Sequence, residues 1–186
     1  MTIHPNVNGL TIEAIEEYLD IAKFCISSKK QDGGIYGYPA TLLLFSVINA
    51  IGESQTAGNE PFRVLKEKPF GCQLNDRQIK KLEQWYRNLL THNGMIAPGA
   101  CLSPEDRGDP FKFDRDEPVM IRVKPLYTLV RNAWDQFDKA NVNAMWRPAQ
   151  QHIIANPLDL SGSTPSVSAT ASGSICIPIL VPKKGK

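Results

Sequence analysis

The chain has 186 residues, of which 42% are hydrophobic and 22% are charged, and its formal net charge is +2. This length suits one ordinary domain with a sizeable core, and the apolar content excludes a chain that is disordered throughout. A charge this close to zero excludes a strongly basic nucleic-acid coat, so a charge-dependent function must come from local clusters. Four widely spaced cysteines without a C-x-x-C pair, and no basic-then-apolar leader, predict a reduced, cytoplasmic protein that does not cross a membrane.

The first predicted element is an amphipathic helix over residues 11–27. Ile12, Ile15 and Leu19 begin a series of apolar residues at spacings of three and four, which gives one apolar face. Thr11 suits the N-cap position of this helix, and an Asp-Gly-Gly sequence follows it as a stop signal.

A second predicted helix follows Tyr38-Pro39 and ends at Ile51, directly before Gly52. It is apolar on almost every side, so we expect it to be central in a helical bundle or to lie between two subunits. A buried strand is the alternative interpretation, but the length of the apolar run and its bracketing by proline and glycine favour a helix.

The third predicted helix begins near Asn75 or Asp76 and ends near His92, because Gly94 is a strong stop signal. The preceding segment, residues 53–74, is predicted to be irregular, since prolines and glycines interrupt any periodicity there.

A long loop and a fourth helix are predicted next. Residues 94–120 are rich in proline and glycine, and a loop of this length is more often functional or covered by a partner than filler. The fourth helix is expected from about Pro125, a favourable first residue, to about Ala140. The predicted fold class is therefore all-α, a bundle of four to five helices with a flexible C-terminal tail.

The domain organisation predicted from this pattern is a helical bundle over residues 1–155, including a short helical stretch before Pro157, and a Ser/Gly-rich linker with a C-terminal peptide over residues 156–186. Residues 161–174 have the low-complexity composition of a linker. The apolar peptide Ile175–Val181 either belongs to a disordered tail or docks on its own domain or a partner, with proline restricting it to a sheet edge.

Most familiar catalytic sites have no counterpart in this sequence. The histidines form no H-x-x-x-H pair, and no P-loop, G-x-S-x-G or dinucleotide fingerprint occurs. The acidic side chains of the long loop match no EF-hand spacing, so we interpret them as a solvated loop and predict neither a metal nor a cofactor. These acidic residues are Glu105, Asp106, Asp109, Asp114, Asp116 and Glu117.

One stretch at the end of the third helix, Arg-Asn-Leu-Leu-Thr-His at residues 87–92, suits the cleavage of RNA. A histidine titrates near neutral pH and can take the 2′-OH proton or protonate the leaving 5′-oxygen. An arginine is always charged, and its forked guanidinium can hold the phosphate and stabilise charge that develops in the transition state. A neighbouring asparagine can fix the histidine tautomer or bind a phosphate oxygen.

This stretch resembles the R-x(4–6)-H motif of the HEPN (higher eukaryote and prokaryote nucleotide-binding) superfamily, which favours a polar residue directly after the arginine. Residues 10–140 share the family's pattern of helices, although only the six-residue motif is specific. The resemblance implies an all-α, metal-independent endoribonuclease of the kind found in toxin–antitoxin and phage-defence systems. It further implies His92 as general acid and base, Arg87 as phosphate contact, Asn88 as support, a homodimer, an RNA substrate, and an antitoxin or other protein partner.

Helical geometry separates the two motif side chains. On an ideal helix, Arg87 and His92 lie about 140° apart around the axis and about 7.5 Å apart along it. They can meet at one phosphate only if the last turn unwinds before Gly94 or if two copies face each other, and the resemblance implies the second arrangement. Alternatively, Arg87 pairs with Glu83 and His92 caps the helix, and the chain is a non-catalytic helical module that binds a protein or a nucleotide.

Basic residues on the last two helices are predicted to contact the RNA backbone, although ordinary solvated helix faces explain them equally well. Trp85, at the edge of the apolar stripe, is the candidate for stacking on a base, whereas Tyr86 and Trp134 are expected in the core. The predicted RNA-binding residues are Arg77, Lys80, Lys81 and Arg131.

Overall fold

In a computed structural model of the protein, residues 7–56, 60–140 and 142 are described. The chain divides into two units, Met1–Ala155 and Asn156–Lys186, and every described residue belongs to the first. The predicted linker, the C-terminal peptide and most of the short helical stretch before Pro157 lie outside the described residues.

The first two helices form the base of the fold. Helix α1 spans Val7–Ser27, so it starts before the predicted N-cap Thr11. Helix α2 spans Gly37–Thr56 and continues through Gly52, where the sequence suggested a stop.

Helix α2 is the central element of the described unit. It packs against α1 on one side and against a short 3-10 helix, Pro61–Lys66, on another, and it also contacts later helices and a strand. Leu44, Phe45 and Ile48 are fully buried within it. The prediction of a helix rather than a strand is therefore confirmed, and because α2 is covered within one chain, its composition does not require a second copy.

The third predicted helix is present, and its ends lie where the sequence placed them. Asn75 is the N-cap and forms a capping box with Gln78, since each side chain accepts a hydrogen bond from the backbone N–H of the other. The helix ends at Asn93, and Gly94 adopts the left-handed conformation (φ +65°) that terminates a helix.

Three segments make up this helix, which we call the motif helix. Helix α3 spans Asp76–Leu82, a π-helical segment spans Glu83–Asn88, and helix α4 spans Leu89–Asn93. Tyr86, within the π-helical segment, is fully buried.

The prediction that residues 94–120 form a loop is wrong, and with it the assignment to a purely all-α fold. Strands β1 (Cys101–Ser103), β2 (Phe111–Asp114) and β3 (Glu117–Arg122) form a small sheet in the order β1-β3-β2. Strand β3 is parallel to β1 and antiparallel to β2. The fold is mostly helical with a small mixed sheet.

The sheet forms because the segment carries its own strand signals. Phe111 is buried and Phe113 half-buried, while Lys112 between them is exposed, which is the period-2 pattern of a strand with one covered face. Arg115 has a positive φ of +55°, which lets the chain turn sharply between β2 and β3. Most of the prolines and glycines of this segment lie outside the short strands, and Pro118 lies within β3.

Helix α5 spans Val123–Gln136, directly after β3, so it begins before the predicted Pro125 and ends before the predicted Ala140. Proline is tolerated there because the N–H groups of the first helical turn have no partner within the helix. Val130 and Trp134 are fully buried, and α5 packs against α1 and α2.

Candidate functional site

The motif residues occupy the last turns of the motif helix. Arg87 and Asn88 are the final residues of the π-helical segment, and both side chains are half-buried. The Arg87 Nη1 atom donates a hydrogen bond of 2.8 Å to Asn88 Oδ1. Asn88 therefore restrains the guanidinium, and π-helical turns of this kind are frequent at functional sites.

His92 lies in the last turn of α4 and is exposed. Its side chain makes no hydrogen bond or ion pair with any other described residue. The end of the helix is capped by backbone groups instead, because the Gly94 N–H donates to Leu90 O at 3.2 Å and the Met95 N–H to Leu89 O at 3.4 Å. A capping role for His92 is therefore not needed to satisfy these carbonyls.

The alternative role for Arg87, an ion pair with Glu83, is not observed among the described residues. The backbone carbonyl of Arg87 accepts a hydrogen bond of 2.7 Å from Thr91 Oγ1. The guanidinium thus combines one fixed amide contact with the capacity to donate to an anion.

The last turn of the motif helix does not unwind, since α4 remains helical to Asn93. The π-helical segment ends at Asn88, so the part of the interval from Leu89 to His92 is α-helical. Of the two routes to convergence on one phosphate, unwinding is therefore not observed, and the meeting of two copies stays a prediction.

Three of the four predicted RNA-binding residues form ion pairs within the chain. Lys81 Nζ lies 2.7 Å from Glu117 Oε1, and Arg77 Nη1 lies 3.4 Å from Asp116 Oδ2. Arg131 binds two carboxylates, those of Glu16 (2.6 Å) and Asp135. Lys80 is exposed, and no other described residue forms an ion pair with it.

The acidic segment is solvated, as predicted, since five of its six acidic residues are exposed, but it is not a loop throughout, because Asp114 and Glu117 lie in strands β2 and β3. The turn between β2 and β3 lies along α3, where Asn75 Nδ2 donates to Asp116 Oδ1 at 2.9 Å and Gln78 Nε2 donates to Arg115 O at 3.3 Å. Four of the six carboxylates pair with basic side chains. These pairs are Glu105–Arg122, Asp106–Lys124, Asp116–Arg77 and Glu117–Lys81.

Tyr86 and Trp134 lie in the core, as predicted. Trp134 is fully buried, and its Nε1 donates to Glu16 Oε1 at 2.7 Å. Tyr86 is also fully buried and donates its hydroxyl to Pro118 O at 3.2 Å, and burial raises the pKa of this hydroxyl. Trp85 is half-buried with Lys81 Nζ 5.1 Å from its ring centroid, so the indole already binds one cation.

A cavity of about 550 Å³, which the sequence did not predict, lies between the start of β2, α5 and the chain before the motif helix. Its walls combine apolar side chains, including Phe111, Phe113 and Leu129, with polar groups that include the carboxylate of Asp109. Burial and Asp109 raise the pKa of the Cys72 thiol to about 11, so this thiol stays protonated at neutral pH. The alternation along β2 is the signal that could have revealed this wall.

Among the described residues, no three histidine, cysteine, aspartate or glutamate side chains cluster in a way that could hold a metal ion. None of the described helices is long and apolar enough to cross a membrane. No protein-family model, curated protein or solved structure matches this chain.

Proposed function

We propose that the protein is a metal-independent endoribonuclease of HEPN type that acts in a toxin–antitoxin or phage-defence context. The observation that carries the proposal is the arrangement at the end of the motif helix. There Arg87 is held by Asn88 at 2.8 Å, while His92 is exposed and its side chain makes no hydrogen bond or ion pair with the described residues. A phosphate-binding cation and a solvent-accessible acid–base group are the two parts that the reaction requires.

The proposed reaction is transesterification by the ribose 2′-OH. His92 takes the 2′-OH proton as the oxygen attacks phosphorus, and the 5′-oxygen leaves with a proton from the protonated imidazole of the second motif. Arg87 binds the non-bridging oxygens and neutralises the charge that develops on them. The products carry a 2′,3′-cyclic phosphate and a 5′-OH, and Asn88 acts as a positioning residue for Arg87.

The proposal includes a homodimer in which the motif ends of two copies face one cleft. Its support is geometrical, because Arg87 and His92 lie on different sides of one intact helix end. RNA is the proposed substrate, and an antitoxin or other protein is the proposed regulator.

The test is cleavage of RNA in EDTA by the wild-type protein and by Arg87→Ala and His92→Ala. We expect each variant to lose about 100-fold or more in rate, since positioned acid–base and charge-stabilising groups contribute at least that much. Arg63→Ala and Asn93→Ala are matched controls, because both residues are exposed and outside the motif. Cleavage that is undiminished in both motif variants contradicts the assignment.

A non-catalytic helical module that binds a protein partner or a nucleotide is the second candidate. The ion pairs of Arg77, Lys81 and Arg131 favour it, because these side chains are committed to carboxylates of the same chain. This candidate predicts that the purified protein leaves RNA intact and that the motif variants lose partner binding or thermal stability instead.

A further inference from the structure

The cavity between the start of β2, α5 and the chain before the motif helix has the size of a small-molecule site. Its volume of about 550 Å³ lies within the range of roughly 300–1,000 Å³ that ligand pockets occupy. Phe111 and Phe113 line it from one face of β2, and Leu129 lines it from α5. Among the described residues that line the cavity, Asp109 is the only one with a charged side chain. The cavity therefore combines apolar surface with a single negative charge.

The Asp109 carboxylate has no cationic partner among the described residues. Four other carboxylates of the same segment form ion pairs with basic side chains. Arg122 donates to the backbone of Asp109 and not to its carboxylate, since its Nη1 lies 3.0 Å from Asp109 O and its Nε lies 2.5 Å from Glu105 Oε2. Burial and, next to it, Asp109 raise the pKa of the Cys72 thiol, so the charge of Asp109 acts on a group in the cavity wall.

The other polar side chains of the cavity add no competing charge. The Gln78 amide is already committed, since its Oε1 accepts from Asn75 N at 3.0 Å and its Nε2 donates to Arg115 O at 3.3 Å. Gln73 is exposed, and its amide makes no hydrogen bond with another described residue. The Cys72 thiol stays protonated at neutral pH, so it is a neutral part of the wall rather than a nucleophile.

We infer that this cavity binds a small organic cation that carries a flat apolar group, of the arylalkylamine type. The ammonium group donates to the Asp109 carboxylate, and the ring packs against Phe113 and Leu129. The Gln73 amide can accept a hydrogen bond from a ring N–H. This inference does not rest on the proposed ribonuclease activity, because no residue of the stretch 87–92 lines the cavity.

The first test is isothermal titration calorimetry of the full-length protein with tryptamine, an arylalkylamine that is protonated at about pH 7. Tryptophol, in which a hydroxyl replaces the ammonium group, is the neutral comparison, and indole-3-propionate is the anionic one. We expect tryptamine to bind with a dissociation constant below about 1 mM and the other two at least about fivefold more weakly, the value of one charge-assisted contact at a partly exposed site. Weaker tryptamine binding than this, or equal binding of tryptophol, overturns the inference.

Asp109→Asn tests whether this carboxylate binds the ammonium group. Because Asp109 is exposed, the substitution removes the charge without disturbing the core, and circular dichroism should be unchanged. It should weaken tryptamine binding at least about fivefold and leave tryptophol binding as it is. Asp114→Asn is the matched control and should keep the wild-type affinity, since Asp114 is an exposed acid of the same segment that does not line the cavity. Equal tryptamine affinity in the wild type and Asp109→Asn contradicts the inference.

Protection of Cys72 then locates the bound ligand without any substitution. Cys72 is half-buried in the cavity wall, whereas Cys101 is exposed in β1 and does not line the cavity. At about pH 8, where tryptamine is still protonated, peptide mass spectrometry can follow alkylation by iodoacetamide at each of these cysteines. With tryptamine at about ten times its dissociation constant, the rate at Cys72 should fall about tenfold, because only the unoccupied protein reacts, and the rate at Cys101 should not change. An unprotected Cys72 in saturating tryptamine places the ligand elsewhere and overturns the inference, whatever the outcome of the RNA cleavage experiment.

Discussion

A single carboxylate, that of Glu16, joins α1 to α5. It accepts hydrogen bonds from Arg131 Nη1 at 2.6 Å and from Trp134 Nε1 at 2.7 Å. The hydrogen bond from Arg131 holds the pKa of Glu16 below its usual range. Because Trp134 is fully buried, its indole N–H cannot turn to water if this acceptor is removed.

We predict that Glu16→Ala lowers the free energy of unfolding by about 1–3 kcal/mol, the cost of a buried donor left without an acceptor. Glu16→Gln should cost less, because the amide oxygen can still accept from the indole. Urea unfolding at pH 7 measures both, with Glu67→Ala, an exposed acid elsewhere, as the control. A loss no greater than that of the control contradicts the role assigned to Glu16.

The same carboxylate gives a pH dependence of defined sign. Since its folded pKa is lowered, the charge of Glu16 stabilises the fold above the ordinary carboxyl pKa, and that contribution is lost as the pH falls through the folded value. The difference in stability between the wild type and Glu16→Gln should therefore shrink on acidification from pH 7. A difference that stays constant would show that the charge of Glu16 is unimportant.

Some ends of helices and strands could be predicted from local sequence signals, whereas others depend on pairing between distant segments and could not. The motif helix starts and stops at residues that form their own caps, Asn75 with Gln78 and then Gly94, so the sequence contained the information. Strand β1 has three residues and pairs with β3 rather than with the strand that follows it, which no short-range pattern reveals. The π-helical turn around the buried Tyr86 has no local signature either.

Gly52 shows how packing overrides a local stop signal. The sequence suggested that α2 ends there, yet the helix continues to Thr56. The 3-10 helix crosses α2 at this point, and a Cβ atom on Gly52 would lie 1.9 Å from Pro61 O and 2.9 Å from Pro61 Cα. Glycine is needed because the backbone of another segment occupies the space of a side chain.

We therefore predict that Gly52→Ala destabilises the protein by about 3 kcal/mol or more, at the upper end of overpacking costs, because backbone must move. Helix propensity alone would give the opposite sign, a gain of about 1 kcal/mol. Gln55→Ala, at an exposed position of the same helix, is the control and should change stability little. Denaturant unfolding decides the matter, and a stabilised Gly52→Ala protein would contradict the crossing.

Across the whole molecule, basic and acidic residues are nearly equal in number, which gives the net charge of +2. Several of these opposite charges also lie in contact as ion pairs. The turn between β2 and β3 brings Asp116 and Glu117 to Arg77 and Lys81, two of the residues expected to bind RNA. A phosphate that approaches these cations must compete with carboxylates already in place. Lys80, on the same helix, has no such competitor among the described residues.

RNA binding should therefore depend on Lys80 more than on Lys81. We predict that Lys80→Ala, tested in the His92→Ala protein to prevent cleavage, lowers the salt dependence of RNA affinity by about 0.7 in the logarithmic slope, the value of one single-strand phosphate contact.

Lys81→Ala should change that slope little until its competitors are removed by Asp116→Asn and Glu117→Gln. This pair of substitutions should itself raise affinity more than Asp114→Asn does, because Asp114 lies in the same hairpin and has no ion pair with a described residue. Fluorescence anisotropy with a labelled single-stranded RNA at several salt concentrations measures all of these effects. Equal slopes for Lys80→Ala and Lys81→Ala would show that the hairpin carboxylates do not compete with phosphate.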